Sequence, residues 1–206
     1  MPIDKKTFTE TDLGRVDPMF SSTRAGYSKT ATIVFTNGKS EREWHDTGAK
    51  AFGATFPSFV KVDEAKRECA GTCLVDLFAV GMGSFTPKWV QRGHVTPSTL
   101  SPNSLRYNLV ISIVHELAHI CQGWQLGKDF GRDFFEEKIS SMGRAADYAD
   151  MKDDAYLQNM FERGARDFAE RWSEAHASEV HAGKFDFLLP MAIMRGMFPD
   201  VPNAFQ

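Results

Sequence analysis

The segment from residue 102 to residue 126 constrains the fold of this chain more than any other part of the sequence. Its apolar residues recur at spacings of three and four, which is the period of a helix with a buried face. Ser101-Pro102 is typical of an N-cap followed by proline at the first helical position, and Gly127 can take the left-handed conformation that often ends a helix. The apolar positions are Leu105, Leu109, Ile113, Leu117 and Ala118, widened by Val110, Val114 and Cys121. The sequence therefore predicts a long, almost fully buried helix.

This helix carries two histidines and a glutamate in the pattern His115-Glu116-Leu117-Ala118-His119. Residues four apart lie one above the other on a helix, so His115 and His119 can both direct a ring nitrogen at one zinc ion about 2 Å away. Glu116 lies beside them and can hold and deprotonate a water on that ion, which is the general-base role in this motif. Without a partner, these three polar side chains would give a buried helix a large desolvation cost. We therefore interpret them as a metal site.

A catalytic zinc site of this kind needs a third protein ligand and leaves its fourth position to water. Glu137, next to Glu136, lies 18 residues beyond His119, and Glu162 lies 43 residues beyond it. A glutamate at the nearer position is similar to the thermolysin arrangement. The residues alone leave both glutamates open. Two aspartates are further candidates, Asp129 and Asp133.

The surroundings of Glu162 are compatible with a metal ligand on a second helix. Glu162, Ala165 and Ala169 fall on one face of a predicted helix. Small residues on that face would let the helix approach the histidine helix closely enough for a short carboxylate to reach the metal. A third histidine is disfavoured, because His176 is the next histidine in the chain after His119 and lies about 21 Å along the helix axis from Glu162. This argues against metzincins.

The motif is followed by Ile120-Cys121-Gln122, then by Gly127, Phe130, Tyr156 and the run from Asn159 to Ala169. With these residues, the segment from about 90 to 172 resembles the minimal gluzincin peptidase domains of bacteria and phages, relatives of the ImmA/IrrE-type peptidases. In that family two motif histidines and a downstream glutamate bind zinc, and the motif glutamate is the base. The resemblance therefore implies the ligands His115, His119 and Glu162, with Glu116 as the base. Gly164 departs from the family, whose members often have a second glutamate there.

The resemblance implies an α+β, zincin-like fold, in which a small mixed sheet has an edge strand beside the buried histidine helix and the C-terminal part is mostly helical. It also implies a zinc-dependent metallopeptidase, most simply an endopeptidase. Tyr156, Arg166 and His176, with Tyr148, are candidates to contact the substrate or stabilise the oxyanion. Arg166 could instead pair with Glu162. Two alternatives remain open: a zinc-stabilised binding module without turnover, and an effector protease delivered into another cell.

The segment from Trp89 to Pro97 precedes the histidine helix, where zincin folds place the strand that holds the substrate. An unpaired strand edge can bind an extended peptide by main-chain hydrogen bonds. We therefore expect a protein or peptide substrate along residues 89–97. The alternative is a core hairpin with no role in binding.

The remaining segments are interpreted as scaffold. Residues 1–26 are polar and are predicted to form a mobile N-terminal arm, and residues 27–206 a single zincin-like domain. The predicted elements are a strand over 27–36 ending at the Asn37-Gly38 turn, a helix over 40–52, a buried strand over 73–80, a long helix over 155–182 capped by Asp153 or Asp154, and a packing segment over 185–198.

Composition excludes several classes of function. The formal net charge is −3, and no polybasic stripe is present, which argues against nucleic-acid binding. No apolar signal-peptide core follows the first six residues, and no segment is long and apolar enough for a membrane span. The three cysteines, Cys69, Cys73 and Cys121, are expected to be reduced thiols. These features predict a cytoplasmic protein and leave export by a non-classical route open.

Overall fold

The computed structural model describes residues 2–36, 53–76, 102–133 and 159–190. These residues form an α+β fold in which helices pack on a four-stranded mixed sheet. Along the chain the elements are β1 (Pro2–Thr9), α1 (Glu10–Val16), α2 (Pro18–Ser22), β2 (Ser28–Thr36), β3 (Gly53–Asp63), β4 (Glu68–Asp76), α3 (Pro102–Leu126) and α4 (Met160–His181). Two 3-10 turns follow α3 and α4, at Gly127–Asp129 and Asp186–Leu188.

The strands of the sheet lie in the order β1, β2, β4, β3. The central pair, β2 and β4, is parallel, with Ser28 opposite Glu68 and Thr36 opposite Asp76. Both outer pairs are antiparallel, and the β3–β4 register is interrupted between Thr55 and Val60. Among the described strands, β3 therefore lies at one edge of the sheet.

The strand prediction for residues 27–36 is confirmed by β2, in which buried and exposed side chains alternate. The prediction for residues 73–80 is confirmed as far as Asp76, and the rest of that segment lies outside the described residues. The burial of β4 differs from the prediction. Within the predicted segment, Cys73 and Val75 are buried, whereas Leu74 between them is only partly buried. In this part of the strand only one face meets the core, as in a sheet covered by helices on one side.

The N-terminal residues are part of the folded core, so the prediction of a mobile arm over residues 1–26 is wrong. β1 pairs with β2 from Pro2 to Thr9. Thr9 and Asp12 then form a capping box that starts α1, in which each side chain accepts a hydrogen bond from the other residue's backbone N–H. Four apolar side chains, which polar residues separate along the sequence, are buried in the core: Phe8, Leu13, Val16 and Phe20.

Helix α3 covers the sheet and confirms the predicted span of residues 102–126. It packs against β3, β4 and α4. Gly127, at a φ of +61°, ends it in the left-handed conformation that the sequence indicated. Trp124 of α3 is buried, and its indole N–H donates a hydrogen bond of 3.1 Å to the Ala70 carbonyl oxygen of β4. The most deeply buried residues of the helix are Leu109, Val110, Ile113, Val114, Leu117, Ile120 and Trp124.

Helix α4 begins at Met160, later than the predicted start at residue 155. Asn159 has an extended ψ of 124° and caps the helix, with its side chain accepting from the backbone N–H groups of Phe161 and Glu162. The helix ends at His181, one residue before the predicted end. Asp153 and Asp154, the predicted caps, lie outside the described residues.

The segment after α4 packs on the core, as predicted for its first part. Phe185, Leu188 and Leu189 are all buried. The predicted helix over residues 40–52 and the segment from 191 onward lie outside the described residues. No helix in the described parts of the chain is long and apolar enough to cross a membrane.

The contact between Gly71 of β4 and Ile120 of α3 gives a test of the fold. A β-carbon on Gly71 would lie 2.3 Å from Ile120 Cγ2, too close for the sheet and helix to keep their separation. We expect Gly71→Ala to lower the free energy of unfolding by about 1–3 kcal/mol, measured by urea denaturation. Thr72→Ala is the control, because Thr72 is the next residue and lies on the opposite face of β4. It should lower the free energy of unfolding by less.

The clash can be separated from other effects of the substitution with a double variant. If Ile120 causes the strain, Gly71→Ala should destabilise an Ile120→Ala background much less than it destabilises wild type. Equal losses in both backgrounds would contradict this account of the contact.

Candidate metal centre

Three of the predicted site residues come together between α3 and α4: His115, His119 and Glu162. Nε2 of His119 lies 3.2 Å from Nε2 of His115 and 3.3 Å from Oε2 of Glu162. The third distance, from His115 Nε2 to Glu162 Oε2, is 3.4 Å. Two nitrogens and one oxygen thus form an almost equilateral triangle.

The size of this triangle fits a tetrahedral metal ion. With bonds of about 2.0–2.2 Å, neighbouring ligand atoms of a tetrahedral zinc site are about 3.3–3.6 Å apart. The sides of 3.3 and 3.4 Å lie at the lower end of that range, and the side of 3.2 Å lies just below it. Two imidazoles and one carboxylate are also a donor set that zinc accepts in catalytic sites, with a fourth position left for water. The residues present therefore fit zinc.

Each of the three candidate ligands owes its position to a local feature of the chain. His115 and His119 are one turn apart on α3 and point to the same side. Glu162 stands in the first turn of α4, which the Asn159 cap fixes. Ala165 and Ala169 are buried on the same face of α4, as predicted, and their small side chains permit the close approach of the two helices.

The partly buried Glu162 carboxyl is stabilised in its charged form by its histidine partners. Burial raises its pKa, but the charge of His119 and hydrogen bonds from both histidines outweigh this and hold the pKa well below its usual range. For His119, burial lowers the pKa, while the Glu162 charge and hydrogen bond dominate and raise it to about 9. A positive charge on His119 therefore favours the ionised form of Glu162, and the Glu162 charge favours the protonated form of His119.

Glu116 lies beside the triangle and is 5 % exposed. Its Oε2 accepts a hydrogen bond of 2.7 Å from the Thr55 hydroxyl of β3. Burial raises the pKa of the Glu116 carboxyl, against the opposing charges of His115 and His119 and the Thr55 hydrogen bond. A buried carboxyl with a raised pKa, held next to a ligand cluster, is suited to accept a proton.

Gln122 contacts His119 on the side away from the triangle. Its Oε1 lies 2.8 Å from His119 Nδ1, and its Nε2 donates to the Phe161 carbonyl oxygen at 3.0 Å. A hydrogen bond of this kind at the second ring nitrogen is the usual way in which proteins orient a metal-binding histidine.

Two other candidate ligands lie away from the cluster. Asp129 and Asp133 both pair with Arg132, and their side chains are about a third or more exposed. Glu136 and Glu137 lie outside the described residues, as do Tyr148 and Tyr156 and the predicted substrate strand over residues 89–97.

The remaining candidates for substrate contact, Arg166 and His176, have other partners. Arg166 Nε lies 4.0 Å from the Asp167 carboxylate. His176 stands far along α4, where its ring packs against Trp172 and Phe185 and its Nδ1 contacts Glu179. The structure therefore does not bring His176 to the metal ligands.

Three residues that contact Glu116 or the candidate ligands are not among the predicted site residues: Thr55, Gln122 and Asn159. Thr55 lies 61 residues before Glu116, so its contact depends on tertiary structure alone. The contact of Gln122 with His119 could have been predicted, because Gln122 lies one turn after His119 on the same face of the helix. The Asn159 cap could also have been predicted, since asparagine before a helical segment is a frequent N-cap.

Comparisons of the chain with protein-family models, with curated proteins and with solved structures found no match.

The contact of His119 with Glu162 should make the stability of the metal-free protein depend on pH. The histidine contribution is complete below its unperturbed pKa of 6.5 and is lost as the pH rises through about 9. The glutamate contribution is present above its unperturbed pKa of 4.5 and is lost as the pH falls toward its lowered value. We expect the free energy of unfolding, measured by urea denaturation with a chelator present, to fall as the pH rises from 6.5 to about 9.

Glu162→Gln is the matched variant for this measurement. It keeps the size of the side chain but removes the charge that raises the pKa of His119, so the loss of stability over this pH range should be much smaller. The same slope in wild type and in Glu162→Gln would contradict the assignment of the effect to this pair.

Proposed function

We propose that this chain is a zinc-dependent metallopeptidase of the gluzincin type, with a zincin-like fold. The observation that carries the proposal is the triangle of His115, His119 and Glu162 ligand atoms, whose sides of 3.2–3.4 Å suit a tetrahedral ion. The buried carboxylate of Glu116, the residue directly after His115, is the candidate base. The resemblance of the motif to minimal gluzincins supports the same function.

The protein residues have distinct roles in the proposed reaction. Zinc, when bound, would supply a Lewis acid that lowers the pKa of water and polarises a carbonyl group. Glu116 would accept the proton of the attacking water and pass it to the leaving amine. Thr55 holds the Glu116 carboxylate through the 2.7 Å hydrogen bond, so that the base does not have to be ordered at the moment of reaction. His115, His119 and Glu162 hold the ion.

The proposed substrate is a protein or peptide in an extended conformation, cleaved within its chain. We propose residues 89–97 as the strand that receives it by strand addition. Strand β3 lies at one edge of the described sheet, and its Thr55 hydroxyl donates a hydrogen bond to Glu116. A peptide strand on this side of the sheet would therefore run close to the proposed base.

Zinc content tests the ligand set. We expect about one zinc per chain in the purified protein by elemental analysis, and strongly reduced zinc in His119→Ala and Glu162→Ala, because two ligands do not hold the ion tightly. Glu137→Ala is the control and should keep its zinc. Circular dichroism on each variant confirms folding. Loss of zinc in Glu137→Ala alone would contradict Glu162 as the third ligand.

Glu116→Gln tests the proposed chemistry apart from metal binding. The variant keeps the shape of the side chain but cannot accept a proton, so we expect unchanged zinc content and hydrolysis of a peptide library slower by about 10²–10⁴-fold. Unchanged hydrolysis with zinc present would contradict Glu116 as the base. Zinc without cleavage of any library peptide by wild type would instead favour a non-catalytic, zinc-stabilised binding module.

A further inference from the structure

One amide side chain, that of Gln122, touches both helices that carry the proposed metal ligands. On α3 its Oε1 meets Nδ1 of His119 at 2.8 Å. On α4 its Nε2 donates to the carbonyl oxygen of Phe161, the residue directly before Glu162. The side chain is therefore placed to set the ring angle of one ligand and the position of the helix turn that holds another.

The two contacts together determine which way the amide points and which tautomer His119 adopts. A backbone carbonyl can only accept a hydrogen bond, so the NH₂ end of Gln122 must face Phe161. Its carbonyl oxygen then faces Nδ1 of His119, which must carry a proton. In the neutral imidazole, Nε2 consequently keeps its lone pair on the side of His115 and Glu162. A metal ion can use that lone pair without any rotation of the ring.

Gly164 leaves the space that Gln122 occupies. A β-carbon at position 164 would lie 3.1 Å from Gln122 Nε2, closer than ordinary van der Waals contact. Gly164 stands in the interior of α4 at an exposed position, where alanine would favour the helix. The glycine thus weakens the helix intrinsically, and room for the amide of Gln122 gives a reason for it.

We propose that Gln122 is a positioning residue of the metal centre and that Gly164 is the residue that makes room for it. This inference rests on the proposed zinc site. Gln122 keeps the His119 ring and the first turn of α4 in the arrangement that the ion requires before the ion arrives. Hydrogen-bond partners of metal ligands typically change metal affinity by about 10–100-fold when they are removed.

The first test measures zinc affinity by competition with a chromophoric chelator, with zinc alone as the probe. Gln122→Met has a similar length but makes neither hydrogen bond, and we expect zinc to bind about 10–100-fold more weakly. The control is Gln125→Met, the same substitution at an exposed position of the same helix, which should bind zinc as wild type does. Equal affinity in Gln122→Met and wild type would overturn the inference.

The second test uses Gly164→Ala, for which a merely structural role and a positioning role predict different results. Alanine should raise the melting temperature of the metal-free protein through helix propensity, yet it should weaken zinc binding several-fold by displacing the Gln122 amide. In a Gln122→Met background the same substitution should leave zinc affinity unchanged, because the displaced contact is already gone. If Gly164→Ala weakened zinc binding in the Gln122→Met background as much as in wild type, the role given to Gly164 would be overturned.

The outcomes separate this inference from the proposed function. If folded wild type binds no zinc, both fail together. If wild type binds about one zinc and the Gln122 and Gly164 variants match it, the inference fails and the zinc site stands. If Gln122→Met does not fold, Gly164→Ala becomes the test. Zinc affinity in Gly164→Ala equal to that of wild type would then overturn the inference.

Discussion

The close approach of α3 and α4 is the constraint on which the site depends. A carboxylate is short, so Glu162 can reach the two α3 histidines only if the helix axes come near one another. The buried alanines 165 and 169 on α4 permit this approach, and Gly164 allows an amide from α3 to enter the same interface. The ionised carboxylate in this interface then needs a positive charge, which a proton or a metal ion can supply.

The sheet contributes through one contact at its edge. Thr55 of β3 donates to Glu116, so the carboxylate next to the ligands is held from the sheet and not from the helix that carries it. Ile120 over Gly71 sets the distance between helix and sheet. Small residues therefore allow close packing at two interfaces of the site. Ala165 and Ala169 lie at the contact between the two helices, and Gly71 lies at the contact between helix and sheet.

The parts of this arrangement that are local in sequence could be predicted. The histidine helix and its glycine end, the strand over residues 27–36, and the pairing of His115 with His119 follow from periodicity, capping and spacing. The choice of Glu162 as their partner came from the resemblance to minimal gluzincins, because the residues alone left Glu137 open as well. Contacts between distant residues could not be read in the same way, since nothing near Thr55 indicates Glu116. The N-terminal segment gives no such signal, because its four core side chains are spaced among polar residues across three short elements and form no continuous apolar pattern.

The order in which the ligands occur along the chain has a consequence for biosynthesis. Glu162 follows the histidines by more than 40 residues, and Trp172 of the same helix donates a hydrogen bond to the Val16 carbonyl near the other end of the described fold. The ribosome must therefore release α4 before the N-terminal helices gain this partner and before three ligands can meet. In a nascent chain, His115, His119 and Glu162 therefore cannot come together until α4 has been synthesised and has packed against α3.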